Sequence, residues 1–163
     1  AGIARALALR PRFIVADEPV SSLDVSIQWQ IIQLLRELKS SMGLTLLFIT
    51  HNLGLIRHIA DRVAVMYAGR IVEIADAQTL LEQPAHPYTR ALLASVPRAD
   101  PNAGWAPDVT ADDSPAPAPD GAGCAYRSRC AWAENDCAVR VPPLRELAGG
   151  QAAACWHINT MRS

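Results

Sequence analysis

Lysine is almost absent from this sequence. Among 163 residues there is one, Lys39, beside fourteen arginines, so chemistry that needs a lysine at a phosphate has a single place to find it. An excess of charge of either sign is lacking too: 15 basic against 16 acidic side chains leave a net charge of -1. That balance excludes broad nonspecific attraction to nucleic acid or to an acidic membrane surface. Long apolar runs are missing as well. The longest, such as Leu44 to Ile49, fall far short of the roughly 20 residues of a membrane-spanning helix, and no signal peptide is expected. No internal repeat is visible. What the sequence does have is apolar content, 50% of its residues, enough to bury a core and to argue against wholesale disorder. It opens at Ala1 inside a helix-like run, Gly2-Ile3-Ala4-Arg5-Ala6-Leu7-Ala8-Leu9. The expectation is that it is the C-terminal piece of something longer.

Composition divides the chain in three. Residues 1–97 alternate compact apolar runs with helix-period segments. Residues 98–120 turn to Pro, Ala and Asp, including Pro101, Pro107, Pro115, Pro117 and Pro119. Such a stretch buries too little apolar surface to offset its chain entropy and reads as an extended linker. Residues 121–163 hold all four cysteines.

Within the first region, Phe13-Ile14-Val15-Ala16 is an unbroken apolar run that stops at Asp17-Glu18-Pro19, as a strand buried on both faces would. Ile27, Ile31, Leu34, Leu35, Leu38 and Met42 then recur at helical spacing, with Asp24 or Ser26 as N-cap and Gly43 at the end. Leu44 to Ile49 is a second buried strand, ended by Thr50-His51. Strand, helix and strand at this spacing form a βαβ unit. A short helix over Leu53 to Ala60 comes next, then a strand pair, Arg62 to Tyr67 and Arg70 to Ile74, around Ala68-Gly69. Two further helical segments fall near Asp76 to Glu82 and Tyr88 to Ser95. Both apolar strands become polar at their carboxyl ends, where ligands of open α/β sheets bind. An acid pair and a histidine therefore form the chemical centre.

Four apolar residues followed by Asp-Glu is the Walker B arrangement, in which one strand-end carboxylate holds Mg²⁺ and the next residue reaches the attacking water. An apolar strand ending in acids is by itself common. The continuation is more specific. Asp17-Glu18-Pro19-Val20-Ser21-Ser22-Leu23-Asp24, followed by Thr50-His51, resembles the ATP-binding subunits of ABC transporters. Ser21-Ser22-Leu23-Asp24 is similar to their D-loop, His51 to their switch histidine, and Gly2 to Leu7 to the helix that follows their signature motif. The segments Asp24-Val25-Ser26-Ile27-Gln28, Asp61 to Tyr67, Gly69 to Glu73 and His86-Pro87-Tyr88-Thr89-Arg90-Ala91-Leu92-Leu93 resemble the oligopeptide/dipeptide importers, as does the cysteine tail with Pro142-Pro143-Leu144. Val20-Ser21, where one of the two paired ATPase subunits usually has threonines, points to the other subunit.

The resemblance implies an α/β fold: the C-terminal part of a P-loop ATPase domain with parallel strands and crossover helices, followed by the linker and the tail. It implies ATP and Mg²⁺ as ligands, with Asp17 at the metal, Glu18 as general base or water-positioner and His51 at the γ-phosphate. Ser21, Ser22 and Asp24 would serve the nucleotide site, Asp24 also communicating across a dimer. Implied partners are a second ATP-binding subunit, two permease subunits in the membrane and, indirectly, a peptide-binding protein; no nucleic acid is expected. The implied location is the cytoplasmic face of the plasma membrane, held peripherally. The P-loop, the Q-loop and the serine-glycine signature are missing, and Lys39 lies late in an amphipathic helix with no glycine pattern around it. The chain alone is therefore expected to be inactive.

Cys124, Cys130, Cys137 and Cys155 have a C-x5-C-x6-C-x17-C spacing. Disulfides sit badly with a reducing cytoplasm, and zinc usually takes closer pairs. A [4Fe-4S] cluster tolerates wide, uneven spacing, and the resemblance implies one in some relatives. Cluster, zinc and unliganded thiols stay open, as does the role of Arg127 and Arg129 as charge partners of a cluster or plain solvated arginines. His58 and His157 are read as ordinary structural histidines. Two other functions compete: a cytosolic ABC ATPase of the DNA-repair or translation kind, and a metal-stabilised module whose tail grips nucleic acid. The His-Pro-Tyr-Thr segment, the absence of a basic patch and the lack of coiled-coil heptads weigh against the first.

Overall fold

The computed structural model describes residues 2–96 and 122–158; the linker expected over 98–120 lies outside the described residues. The chain divides into two compact units, Ala1–Ala60 and Asp61–Ser163.

In the first unit, helix α1 (Gly2–Leu7) precedes strand β1 (Phe13–Asp17), helix α2 (Val25–Met42), strand β2 (Thr45–Ile49) and helix α3 (Leu53–Ile59). The strands pair in parallel, running from Phe13 opposite Thr45 to Asp17 opposite Ile49, so both polar strand ends come to one edge. Helix α2 forms where the three- and four-residue apolar recurrence predicts it. Asp24 is its extended N-cap, although its side chain makes no capping bond, and Gly43 closes it at φ 61°, donating its N–H to the Lys39 carbonyl. A left-handed C-terminal residue of this kind is where glycine avoids a steric cost. Ile32, Leu35, Leu55 and Ile59 join Val20 in one buried cluster, flanked by Ile3, Ile31, Leu46 and Phe48.

The sheet departs from the expected burial. Only one face of β1 and β2 packs on this cluster. Phe13 and Val15 are each 54% exposed, Leu47 is 49% and Ile49 is 43% exposed. Two strands with helices on one side shield alternate residues only, since successive side chains point to opposite faces.

The second unit is built on an antiparallel sheet, so the fold is mixed rather than purely parallel. Strands β3 (Arg62–Tyr67) and β4 (Arg70–Asp76) form a hairpin with a register shift between Val65 and Met66. Ala68 and Gly69 make its turn at φ 47° and 76°, the two positive angles of a tight hairpin connection. Helices α4 (Ala77–Glu82) and α5 (Pro87–Ala94) come next, and the cysteine tail supplies helix α6 (Asn135–Val139) and two-residue strands β5 (Arg145–Glu146) and β6 (Ala152–Ala153). Strand β6 pairs with β4 and β5 pairs with β6, giving the order β3-β4-β6-β5. The tail thus extends the hairpin's own sheet. Its Ala153 and Ile158 pack with Ala85 in a buried cluster, with Leu147 and Cys155 against it.

Candidate functional site

The carboxyl ends of β1 and β2 build the first site. Asp17 is the last residue of β1. Glu18 turns out of the strand at φ 43°, a left-handed conformation that costs a residue with a side chain about 1–3 kcal/mol. Its N–H still donates to the Ile49 carbonyl at 2.9 Å, continuing the ladder by one bond. His51 lies two residues past the end of β2, and its Nδ1 is 2.8 Å from Glu18 Oε1. A carboxylate has no proton to give, so Nδ1–H is the donor and Nε2 is left open. Both side chains are accessible, at 73% for His51 and 46% for Glu18. The bond from His51 holds the Glu18 carboxyl below its ordinary value.

The loop after Glu18 is tied down residue by residue. Ser21 donates both its Oγ–H and its N–H to the Glu18 carbonyl, at 3.1 and 3.3 Å. The Leu23 N–H donates to the Val20 carbonyl at 3.1 Å. Gln28, in the first turns of α2, donates its side-chain amide to the carbonyls of Val20 and Leu23, each at 3.0 Å. Beyond β2, the Asn52 N–H donates to Thr50 Oγ1 and Asn52 Oδ1 caps α3 by accepting from the Gly54 N–H, each at 3.0 Å. Of the residues singled out in the sequence, the fold thus joins Glu18, His51 and Ser21 by direct bonds. Asp17 shares their strand end, Ser22 lies in the same turn, and the Asp24 carbonyl accepts the Gln28 N–H at 2.8 Å. Gln28 and Asn52 were not anticipated as site residues; their only signal is a polar side chain beside a helix start.

The second cluster is in the tail. Cys124, Cys130, Cys137 and Cys155 line one small cavity with Trp132, Trp156 and His157. Burial pushes the thiols of Cys124 and Cys155 up and that of Cys130 up to about 11. Cys124 is brought to Cys137 by a backbone bond of 2.7 Å from its N–H to the Cys137 carbonyl. At Gly123, φ is 81° and an added Cβ would strike the carbonyls of Cys137 and Ala138. The donor set is all sulfur, which suits a soft metal centre, yet among the described residues no three His, Cys, Asp or Glu side chains stand in a metal-holding group.

A buried polar network holds this tail in place. Glu73, on β4, is fully buried and accepts from the N–H groups of Ala85 and His86, both at 2.8 Å, and from Gln151 Nε2 at 2.9 Å. Gln151 also donates to the Gln83 carbonyl at 3.0 Å. His86 Nδ1 accepts the Tyr88 N–H at 3.0 Å and caps α5. Desolvation takes the His86 imidazole down to about 4, against a smaller upward pull from a backbone bond to Ala154. Tyr67, Tyr88 and Tyr126 pack beside it with ring centres 4.6–5.5 Å apart.

Residues 72–137, spanning β4, α5 and the first three cysteines, match the family described as oligopeptide/dipeptide transporter, C-terminal region. Across 154 residues the chain is 53% identical to the "Putative peptide import ATP-binding protein BOV_A0347" of Brucella ovis, an alignment covering 94% of this chain and 49% of that protein. It is 46% identical over 156 residues to the "Oligopeptide transport ATP-binding protein AppF" of Bacillus subtilis, covering 94% and 47%. The chain spans about half the length of the curated relatives it matches. Among the described residues no helix is long and apolar enough to cross a membrane.

Proposed function

We propose that these residues serve as the catalytic rear half and C-terminal extension of an ATP-binding subunit that drives oligopeptide or dipeptide import. The observation that carries the reading is the 2.8 Å contact between Glu18 and His51 at the joined carboxyl ends of two parallel strands. Phosphoryl transfer to water asks for a positioned base and for charge stabilisation rather than covalent chemistry. Glu18, ionised and reachable by solvent, orients the attacking water and accepts its proton. His51 holds that carboxylate through Nδ1–H and offers Nε2 to the γ-phosphate. With Nδ1–H committed to Glu18, a donor at Nε2 requires the doubly protonated imidazole. Asp17 holds Mg²⁺, a metal that binds through one or two carboxylates together with substrate phosphates and waters. The bound metal supplies neutralisation of the phosphate charge. Ser21, Ser22 and Asp24 shape the nucleotide-facing loop and its contact with a second ATP-binding subunit. Two permease subunits in the membrane and, indirectly, a peptide-binding protein complete the assembly, with this subunit held peripherally at the cytoplasmic face.

Cys124, Cys130, Cys137 and Cys155 would hold a [4Fe-4S] cluster, with zinc as the alternative. Four thiols round one cavity in a tail of two-residue strands support this, because metal binding adds folding free energy where a core is small. The raised thiols must first lose their protons, so loading weakens as pH falls.

The decisive experiment is ATP turnover by the whole subunit with its partners in vesicles. Glu18→Gln should abolish hydrolysis while nucleotide binding persists, and peptide uptake should stop with it. Hydrolysis undiminished by that change would refute the assignment. Anaerobic preparation with iron and sulfide assay and a visible absorption band tests the cluster; zinc in equal amount to protein would replace it.

A further inference from the structure

Between Glu18 and α2 the main chain has no strand or helix ladder to hold it, yet its course is fixed at both ends by one side chain. Gln28 Nε2 reaches the carbonyls of Val20 and Leu23 at 3.0 Å each. Those carbonyls bracket Ser21 and Ser22, and the same Val20 carbonyl accepts the Leu23 N–H. The Val20 side chain meanwhile sits in the buried cluster with Ile32 and Leu35. A primary amide suits this position because its NH₂ has two hydrogens, one for each carbonyl. From there the connection to Glu18 is direct. Ser21 spends its N–H and Oγ–H on the Glu18 carbonyl, the residue whose backbone is held at φ 43°.

We propose that Gln28 is a positioning residue for hydrolysis: it clamps the Val20–Leu23 turn to α2 and, through Ser21, fixes the left-handed backbone from which Glu18 meets His51. This rests on the proposed ATPase function of the Glu18–His51 pair. It predicts that removing the two donors lowers kcat with little change in KM for ATP, because Gln28 touches the loop and not the nucleotide. A residue that merely supported the start of α2 would behave differently, since an eighteen-residue helix packed on a core draws little stability from one half-buried polar side chain.

The test has two arms. In the 163-residue chain, amide hydrogen exchange at Ser21 and Leu23 reads the clamp without any ATPase assay. Gln28→Leu should speed exchange there about fivefold or more, with the melting temperature and helix content held. Gln28→Glu keeps the reach but exchanges donors for acceptors at neutral pH. Its protection should partly return near pH 4, where the introduced carboxyl regains one O–H to donate. Unchanged exchange in both variants would overturn the clamp. In the whole transporter, each variant should lower kcat about tenfold at an ATP KM within about twofold. Faster exchange with an unchanged kcat would overturn the positioning role while leaving the proposed function intact. An unmutated transporter that does not hydrolyse ATP would sink the proposed function and with it the positioning role, the exchange arm still deciding the clamp.

Discussion

His51 Nδ1 and Glu18 Oε1, 33 residues apart in sequence, meet at 2.8 Å. Two apolar strands of matched length make this possible: once Phe13 lies opposite Thr45, Asp17 must lie opposite Ile49, and the residues just past each strand are delivered to the same edge.

The contact sets the titration of Glu18. The hydrogen bond from His51 is the largest influence and lowers the carboxyl from its ordinary 4.5, burial opposing it. A depressed acid favours the folded state above its unfolded value, and that contribution is lost as pH falls through the depressed one. A ¹³C titration of the Glu18 carboxyl should therefore show a midpoint below 4.5. In His51→Ala the midpoint should move upward. Equal midpoints in the two proteins would mean the pair does not form in solution.

Glu73 gives a larger effect on stability. Replacing it with Ala strands the N–H groups of Ala85 and His86 and one Gln151 donor in a buried site. A buried polar group left without its partner costs about 1–3 kcal/mol. Glu73→Ala should lower the unfolding free energy of the second unit by about 3 kcal/mol or more, read by urea denaturation. Gln151→Ala, which removes the two Nε2 bonds to Glu73 and the Gln83 carbonyl but leaves both backbone N–H groups bonded to Glu73, should cost clearly less. Near-equal losses would contradict the bond accounting.

Gly123→Ala should loosen the tail specifically. The new Cβ meets the carbonyls of Cys137 and Ala138 at a φ of 81°, so neither the space nor the backbone angle suits it. Backbone oxygens cannot move aside as a side chain can. Exchange at the Cys124 amide, bonded to Cys137, should rise while exchange in β3 stays as it was. A protected Cys124 amide in Gly123→Ala would contradict the close approach.

Part of this architecture is legible in the sequence because it is local. Helix α2 is foretold by apolar recurrence and Gly43, and the β3–β4 hairpin by two strand patterns round Ala68-Gly69. The acid pair and His51 are legible because apolar runs stop abruptly there. Other features have no local signature. Gln151 meets Glu73 from 78 residues away, and β5 and β6, at two residues each, are too short for any periodicity to show. Burial on both faces of β1 and β2 failed as an expectation because an apolar run reports what a strand can bury, whereas the number of packed layers decides what it does bury. Gln28 carries no such signal because a polar residue in the first turns of a helix looks the same whether it faces solvent or holds two carbonyls.

His86 makes the stability of the second unit depend on acid. Its side chain is 1% exposed, and burial takes the imidazole from 6.5 to about 4. The folded state thus binds the proton less well than the unfolded chain. Stability is whole above pH 6.5 and falls as pH drops from there toward 4. The full difference is worth about 3 kcal/mol at roughly 1.36 kcal/mol per unit. Carboxylates titrate in the same range, so the contribution of His86 is isolated by comparison with His86→Asn, which keeps an acceptor for the Tyr88 N–H but does not titrate. Denaturant midpoints of the two proteins should converge as pH falls from about 7 to about 4.5. A gap that stays constant across that range would show that His86 takes up its proton equally well folded and unfolded, and would rule out burial as the force holding it neutral.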